Sequence, residues 1–146
     1  MGIVWDTSQY NVYYEDTDFS GFVYHANYLK FFERSREHLL GIDYLHSLFK
    51  DGFHFVVHEI NMIFRAPARH GDVIVVETEC HFSKSPAVRF KHVAKRAPKG
   101  EIPGTDLVTA EVSAVLLGAG NKPVRLPRDM IASLSARATI PPQNPL

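Results

Sequence analysis

The segment from Tyr13 to Arg36 reads Tyr-Tyr-Glu-Asp-Thr-Asp-Phe-Ser-Gly-Phe-Val-Tyr-His-Ala-Asn-Tyr and then passes into a helical hydrophobic pattern. It places one carboxylate, Asp18, just upstream of a helix start, with Gly21 in the intervening turn and His25 at the helix approach. The first N–H groups of a helix have no partner inside it, and the helix dipole adds to their pull on negative charge. A carboxylate and a set of N–H donors around one space can support acyl transfer. The carboxylate attacks or activates water, and the donors hold the oxyanion that develops.

Those residues need elements to hold them. Residues 9–16 alternate Tyr10, Val12 and Tyr14 against Gln9, Asn11 and Tyr13, which predicts a strand. From Asn27 to Leu40 the period becomes helical, with Leu29, Phe32, Ser35, Leu39 and Leu40 on one face and Gly41 as the stop. A second short helix is expected over 42–50, broken by Asp51-Gly52. Strands are expected at 53–65, 73–82, 87–95 and 105–117. The first of these has Val56, His58, Ile60, Met62 and Phe64 on one side, and the last is apolar on both faces like an interior strand. A short helix is expected from Pro127 to Leu134, followed by a Pro-rich arm at about 139–146. One strand, one main helix and four further strands imply an α+β domain. Its antiparallel five-stranded sheet would wrap around the long helix, and residues 1–146 form a single unit.

Other chemistries are poorly supplied. His54 and His58 are four apart on an expected strand, which does not bring two ligands together as a helix would, so no metal site is expected. There is no Gly-x-Ser-x-Gly elbow for a serine nucleophile. The one cysteine, Cys80, rules out an intrachain disulfide and reads as a small inward residue on its strand. Sixteen basic residues balance sixteen acidic ones, which argues against nucleic acid as partner. With no charged leader ahead of an apolar stretch and no long apolar run, neither secretion nor membrane insertion is expected, and the cytoplasm is the expected compartment.

Tyr14-Glu-Asp-Thr-Asp18 followed by Gly21-Phe-Val-Tyr-His-Ala-Asn-Tyr28 resembles the signature of hotdog-fold acyl-CoA thioesterases. The groups it is similar to are the 4-hydroxybenzoyl-CoA thioesterase family and the bacterial acyl-CoA thioesterases associated with the Tol-Pal system. The close match spans Tyr13 to Leu40, and the strands beyond are compatible with the same fold. The resemblance implies that Asp18, the second acid of the pair, is the catalytic carboxylate and that the His25 amide polarises the thioester carbonyl. A Tyr/Asp/His set would map onto Tyr14, Asp18 and His25. It also implies no cofactor, and a homodimer or homotetramer with sites at the subunit boundary.

Asp16 is expected to be structural, and Asn27 to cap the helix or meet substrate. Gly21 and Tyr24 belong to the same motif and are candidates for the substrate side, as are Phe19, Phe22 and Tyr28 for an acyl group. Arg65, Arg69 and Lys84 are candidates for the phosphates of coenzyme A. Two other functions stay open here. One is an acyl-thioester hydratase or dehydratase of the same fold, and the other is a binding module that no longer turns over.

Overall fold

The computed structural model describes residues 2–137, so the arm expected at 139–146 lies outside the described residues. The chain runs β1 (Gly2–Asn11), a 3-10 turn (Tyr14–Asp16), α1 (Asn27–Leu40), α2 (Ile42–Lys50), β2 (His54–Phe64), β3 (Val73–Phe82), β4 (Ala87–Arg96), β5 (Thr105–Leu117) and α3 (Arg128–Arg137). The strands form one antiparallel sheet in the order β1-β3-β4-β5-β2, and α1 lies across its inner face against β1, β3 and β4. This is the α+β, five-stranded arrangement expected. Gly41 ends α1 with φ +95°, and its N–H returns to the Glu37 carbonyl. The Pro127 carbonyl accepts the first bond of α3, from Ile131 N–H.

Three expectations need correction. The first strand starts at Gly2, earlier than read, and ends at Asn11. Residues 14–16 turn instead, because the Asp16 carboxylate accepts the Tyr13 N–H and draws the chain out of the extended state. On β2, a bulge at His58 switches which residues face inward. Phe55 and Val57 lie opposite buried Leu116 and Ala114 before it, and Ile60, Met62 and Phe64 lie opposite buried Val112, Ala110 and Val108 after it, so Val56 points outward. On α1 the buried residues are Tyr28, Phe31, Phe32, Ser35 and Leu39; Leu29 is exposed. The larger rings at 28 and 31 bury more apolar area than Leu29 and Leu40 would, and so set the face.

The core divides into two apolar clusters, one at each end of α1. Between them the inner face carries a polar belt of Ser35, Thr78 and His92, all buried. Ser35 Oγ donates to the Phe31 carbonyl and therefore accepts from Tyr10 OH. The Arg36 guanidinium can only donate, so His92 Nε2, 3.2 Å from Nη1, must be the acceptor. The imidazole proton then sits on Nδ1 and is donated to Thr78 Oγ1 at 2.9 Å. Phe32 stacks on the ring at 4.7 Å.

Burial, and secondarily the Arg36 charge, push the His92 pKa down to about 3. In the unfolded chain the same ring takes its proton near 6.5, so protonation favours unfolding between those two values. His92 therefore destabilises the fold progressively as pH drops below about 6.5, by roughly 2–3 kcal/mol at about pH 4.5. His92→Gln keeps an acceptor and a donor but cannot titrate. Urea unfolding at pH 7 and pH 4.5 should show a smaller acid loss in the variant by about that amount; equal losses would contradict a buried neutral imidazole.

Candidate active site

The site begins where β1 ends. Val12 N–H donates to the Asp72 carbonyl and Gly71 N–H to the Val12 carbonyl, tying this end to the turn before β3. Asp16 then joins the turn to the start of α1. Its carbonyl accepts the Tyr24 N–H and the Asn27 side-chain amide, and its carboxylate accepts the Tyr13 N–H and the same Asn27 group. Asp16 is the structural acid of the pair.

Between these anchors Thr17 pairs with Val23 and Phe22 pairs with Arg69, so residues 17–23 form a small hairpin beside the segment after β2. Asp18 opens its turn. The Asp18 carbonyl accepts the Gly21 N–H, and its N–H donates to the Phe22 carbonyl. Gly21 takes φ +81°, a conformation that a side chain at this position would strain. A Cβ there would meet nothing within 4 Å, so the need is for the backbone angle and not for close approach.

Asp18 is exposed, and one of its oxygens, Oδ1, accepts from both the N–H and the hydroxyl of Ser20. Those two bonds, Ser20 hydroxyl first, hold its pKa below the ordinary carboxylate value, with a smaller contribution from the Phe22 backbone. The group is ionised at neutral pH, and both Ser20 bonds fall on Oδ1.

At the helix start, Asn27 N–H closes a turn onto the Tyr24 carbonyl. The N–H groups of His25 and Ala26 donate to nothing among the described residues, and no side chain caps the helix. Asp18 and His25 line one open cleft of about 360 Å³ with Phe22, Tyr28, Phe64 and Arg65. Burial pushes the Tyr28 hydroxyl up to about 12, which keeps it neutral.

The remaining candidates divide. Asn27 neither caps the helix nor lines the cleft; it serves Asp16. Tyr24 lies against the His25 ring at 4.6 Å. Arg69 stacks over the Phe22 ring at 4.8 Å, beside the cleft that Arg65 lines. Tyr14 is not brought to the cleft; it stands exposed against His70. Phe19 is fully exposed at the hairpin tip and lines nothing here. Lys84 lies just past Phe82, which pairs with Gly2, whereas the site adjoins the end where Asn11 pairs with Val73. That separation is about 30 Å of strand, so Lys84 does not join this chain's cleft. Phe64, which was no candidate, forms the far wall. The signal for it was its inward parity, which holds only beyond the bulge.

An ionised carboxylate, helix-start amides with no acceptor among the described residues and an aromatic cleft are the groups that ester or thioester hydrolysis uses. Comparison with known proteins makes the class specific. The thioesterase-like superfamily model matches residues 12–134. The acyl-CoA thioester hydrolase YbgC of Escherichia coli is 35% identical, over 83% of this chain and 89% of its own. The acyl-CoA thioesterase YbgC of Haemophilus influenzae is also 35% identical, over 84% and 88%. A probable thioesterase from Bartonella henselae superposes with TM-score 0.71 at 33% identity, covering 84% of this chain and 99% of that one. The 4-hydroxybenzoyl-CoA thioesterase bound to 4-hydroxybenzoyl-CoA superposes with TM-score 0.78 at 17% identity, covering 89% and 98%, a likeness of fold. The chain belongs to the thioesterase-like superfamily and is a thioester hydrolase of hotdog fold.

Proposed function

We propose that the chain hydrolyses short-chain or aromatic acyl-CoA thioesters in the cleft between Asp18 and the start of α1. The observation that carries this reading is the pairing, in one cleft, of an exposed, ionised carboxylate with a His25 N–H that has no acceptor among the described residues. The thioester carbonyl oxygen accepts from the His25 amide as it becomes an oxyanion. Asp18 either attacks the carbonyl carbon, giving a mixed anhydride that water opens, or takes a proton from the attacking water. In both routes the C–S bond breaks, the thiolate leaves and is protonated, and free acid and CoA result. Phe22, Tyr28 and Phe64 give the acyl group apolar walls. Relatives named as acyl-CoA thioesterases support the substrate class. Parallel assays of thiol release and of enoyl-thioester hydration test the reaction type. Hydration without thiol release would establish the hydratase alternative instead.

Arg65 and Arg69, on the segment that borders the cleft, are proposed to meet the CoA phosphates. Arg65→Ala and Arg69→Ala should each raise KM about five- to tenfold with kcat retained, and added salt should shrink the effect. An unchanged KM in both would remove them from the site.

The open edge of β2 supports self-association. Among the described residues this eleven-residue strand is unpaired on one side, and it exposes Val56, Ile60, Ile63 and Phe64. Such an edge is a template for a second strand. A dimer or a dimer of dimers is expected by light scattering at micromolar concentration, and a monomer would contradict it. The proposed compartment is the cytoplasm, consistent with a lone, buried, unpaired Cys80.

A further inference from the structure

Asp18 is an exposed side chain, so packing does not hold it in place. An exposed aspartate is free to turn about χ1, and its carboxylate about a broad χ2. Attack on a carbonyl, or on the proton of a water beside one, succeeds only from a narrow range of directions. What grips the group is its own turn. The Ser20 N–H donates to Asp18 Oδ1 at 2.8 Å, and the Ser20 hydroxyl donates to the same oxygen. A carboxylate is planar, so holding one oxygen also sets where the other lies.

The two bonds differ in what the fold needs from them. An aspartate oxygen that accepts the N–H two residues on is a common local closure, and any residue but proline supplies that N–H. The hairpin is closed besides by Gly21 N–H on the Asp18 carbonyl, by Asp18 N–H on the Phe22 carbonyl, and by the pairs Thr17–Val23 and Phe22–Arg69. None of these uses the Ser20 hydroxyl. The Ser20 side chain is exposed and belongs to neither core cluster. The turn asks for an N–H at position 20, and only the carboxylate asks for a hydroxyl.

We propose that Ser20 is a positioning residue for the reaction, its hydroxyl holding the Asp18 carboxylate toward the thioester carbonyl. This rests on the role proposed above for Asp18. The hydroxyl has two opposed effects on rate. Its bond to Oδ1 stabilises the charged form and so makes Asp18 a weaker base. The same bond confines the direction of the carboxylate. Without it the carboxylate is still ionised at neutral pH, and its greater basicity speeds proton transfer only modestly. The loss of direction costs more. The variant with the more basic carboxylate is therefore the slower enzyme.

Thiol-release kinetics of Ser20→Ala and Ser20→Thr, each alone and in Asp18→Asn, test this, with circular dichroism as the control for folding. Ser20→Ala should lower kcat about tenfold with KM within about twofold, and the acid limb of its kcat/KM profile should move to higher pH. His25, Tyr28 and Arg65, the other titratable groups of the cleft, and Arg69 beside Phe22 are unchanged in this variant. Ser20→Thr restores a hydroxyl and should turn over within about twofold of the wild type. Adding Ser20→Ala to Asp18→Asn should change the residual rate less than about twofold, because no carboxylate is left to orient. The proposal is overturned by wild-type kcat in Ser20→Ala, by equal losses in the alanine and threonine variants, by an acid limb that does not move, or by the same tenfold loss in the Asp18→Asn background. The hydrolase reading is judged separately, on the wild type and Asp18→Asn alone: near-equal turnover by those two would remove Asp18 from the reaction whatever the Ser20 variants do.

Discussion

Asp18→Asn is expected to lower turnover of the best acyl-CoA by about 10²–10⁴-fold while leaving the fold intact. The substitution is nearly isosteric. The amide oxygen can still accept from the Ser20 N–H and hydroxyl, and the backbone bonds of Asp18 to Gly21 and Phe22 are untouched. What is lost is the negative charge and the basicity of the carboxylate. An amide can neither attack as a carboxylate does nor take a proton from water, so both routes proposed for Asp18 fail together. Steady-state kinetics, with circular dichroism as the control for folding, checks this. The Ser20 bonds also set the pH dependence. They lower the Asp18 pKa, so the carboxylate stays charged below the ordinary value of about 3.9, and kcat/KM should not decline between pH 7 and about pH 5. A decline centred near pH 6 would mean that a different group is the base. Near-wild-type turnover by pure Asp18→Asn would end its assignment.

The second large effect is expected at a backbone atom. His25→Pro should reduce kcat by about 10²–10³-fold, the usual consequence of losing one oxyanion donor. The change suits the local backbone. Asn27 N–H bonds to the Tyr24 carbonyl, so His25 occupies the second position of a turn, where proline is favoured. The His25 N–H bonds to nothing among the described residues, so its removal breaks no structural bond there. The control is His25→Ala, which removes the imidazole and keeps the amide. A modest loss in the alanine variant beside a large one in the proline variant assigns the effect to the amide. Equal losses would transfer it to the ring, which lies 4.6 Å from Tyr24 and 6.3 Å from Phe64.

Much of the frame was legible because its signals are local. The α1 and α2 bounds come from a change of hydrophobic period and from Gly41 and Gly52, and β3 and β5 from alternation between turn residues. Asp18 and the helix start were legible as one motif for the same reason. What escaped depends on neighbours far along the chain. Gly2 to Ser8 carries no clean apolar alternation, because Asp6 and Ser8 share the side of buried Val4, and Asp6 is met by His38, which no local pattern announces. The bulge at His58 appears only when β2 is laid against β5, and it decides that Phe64 walls the cleft. Asn27 reads as a cap by type, yet its partner Asp16 lies eleven residues back. The bond between Arg36 and His92 spans 56 residues and leaves no trace in either segment alone. Lys84 is the converse case, a suitable charge at the wrong end of a strand pair.

Hydrolysis of acyl-CoA thioesters in this cleft frees a thiol, and thiol release is therefore the decisive measurement. Purified chain should be given a panel of acyl-CoAs with short aliphatic, longer aliphatic and aromatic acyl groups, with free CoA detected by a thiol reagent. Catalytic release is expected from at least one short-chain or aromatic member, at a rate proportional to enzyme concentration and lost in Asp18→Asn. Binding of those acyl-CoAs with no thiol released from any of them would contradict the assignment of this cleft as a thioesterase site.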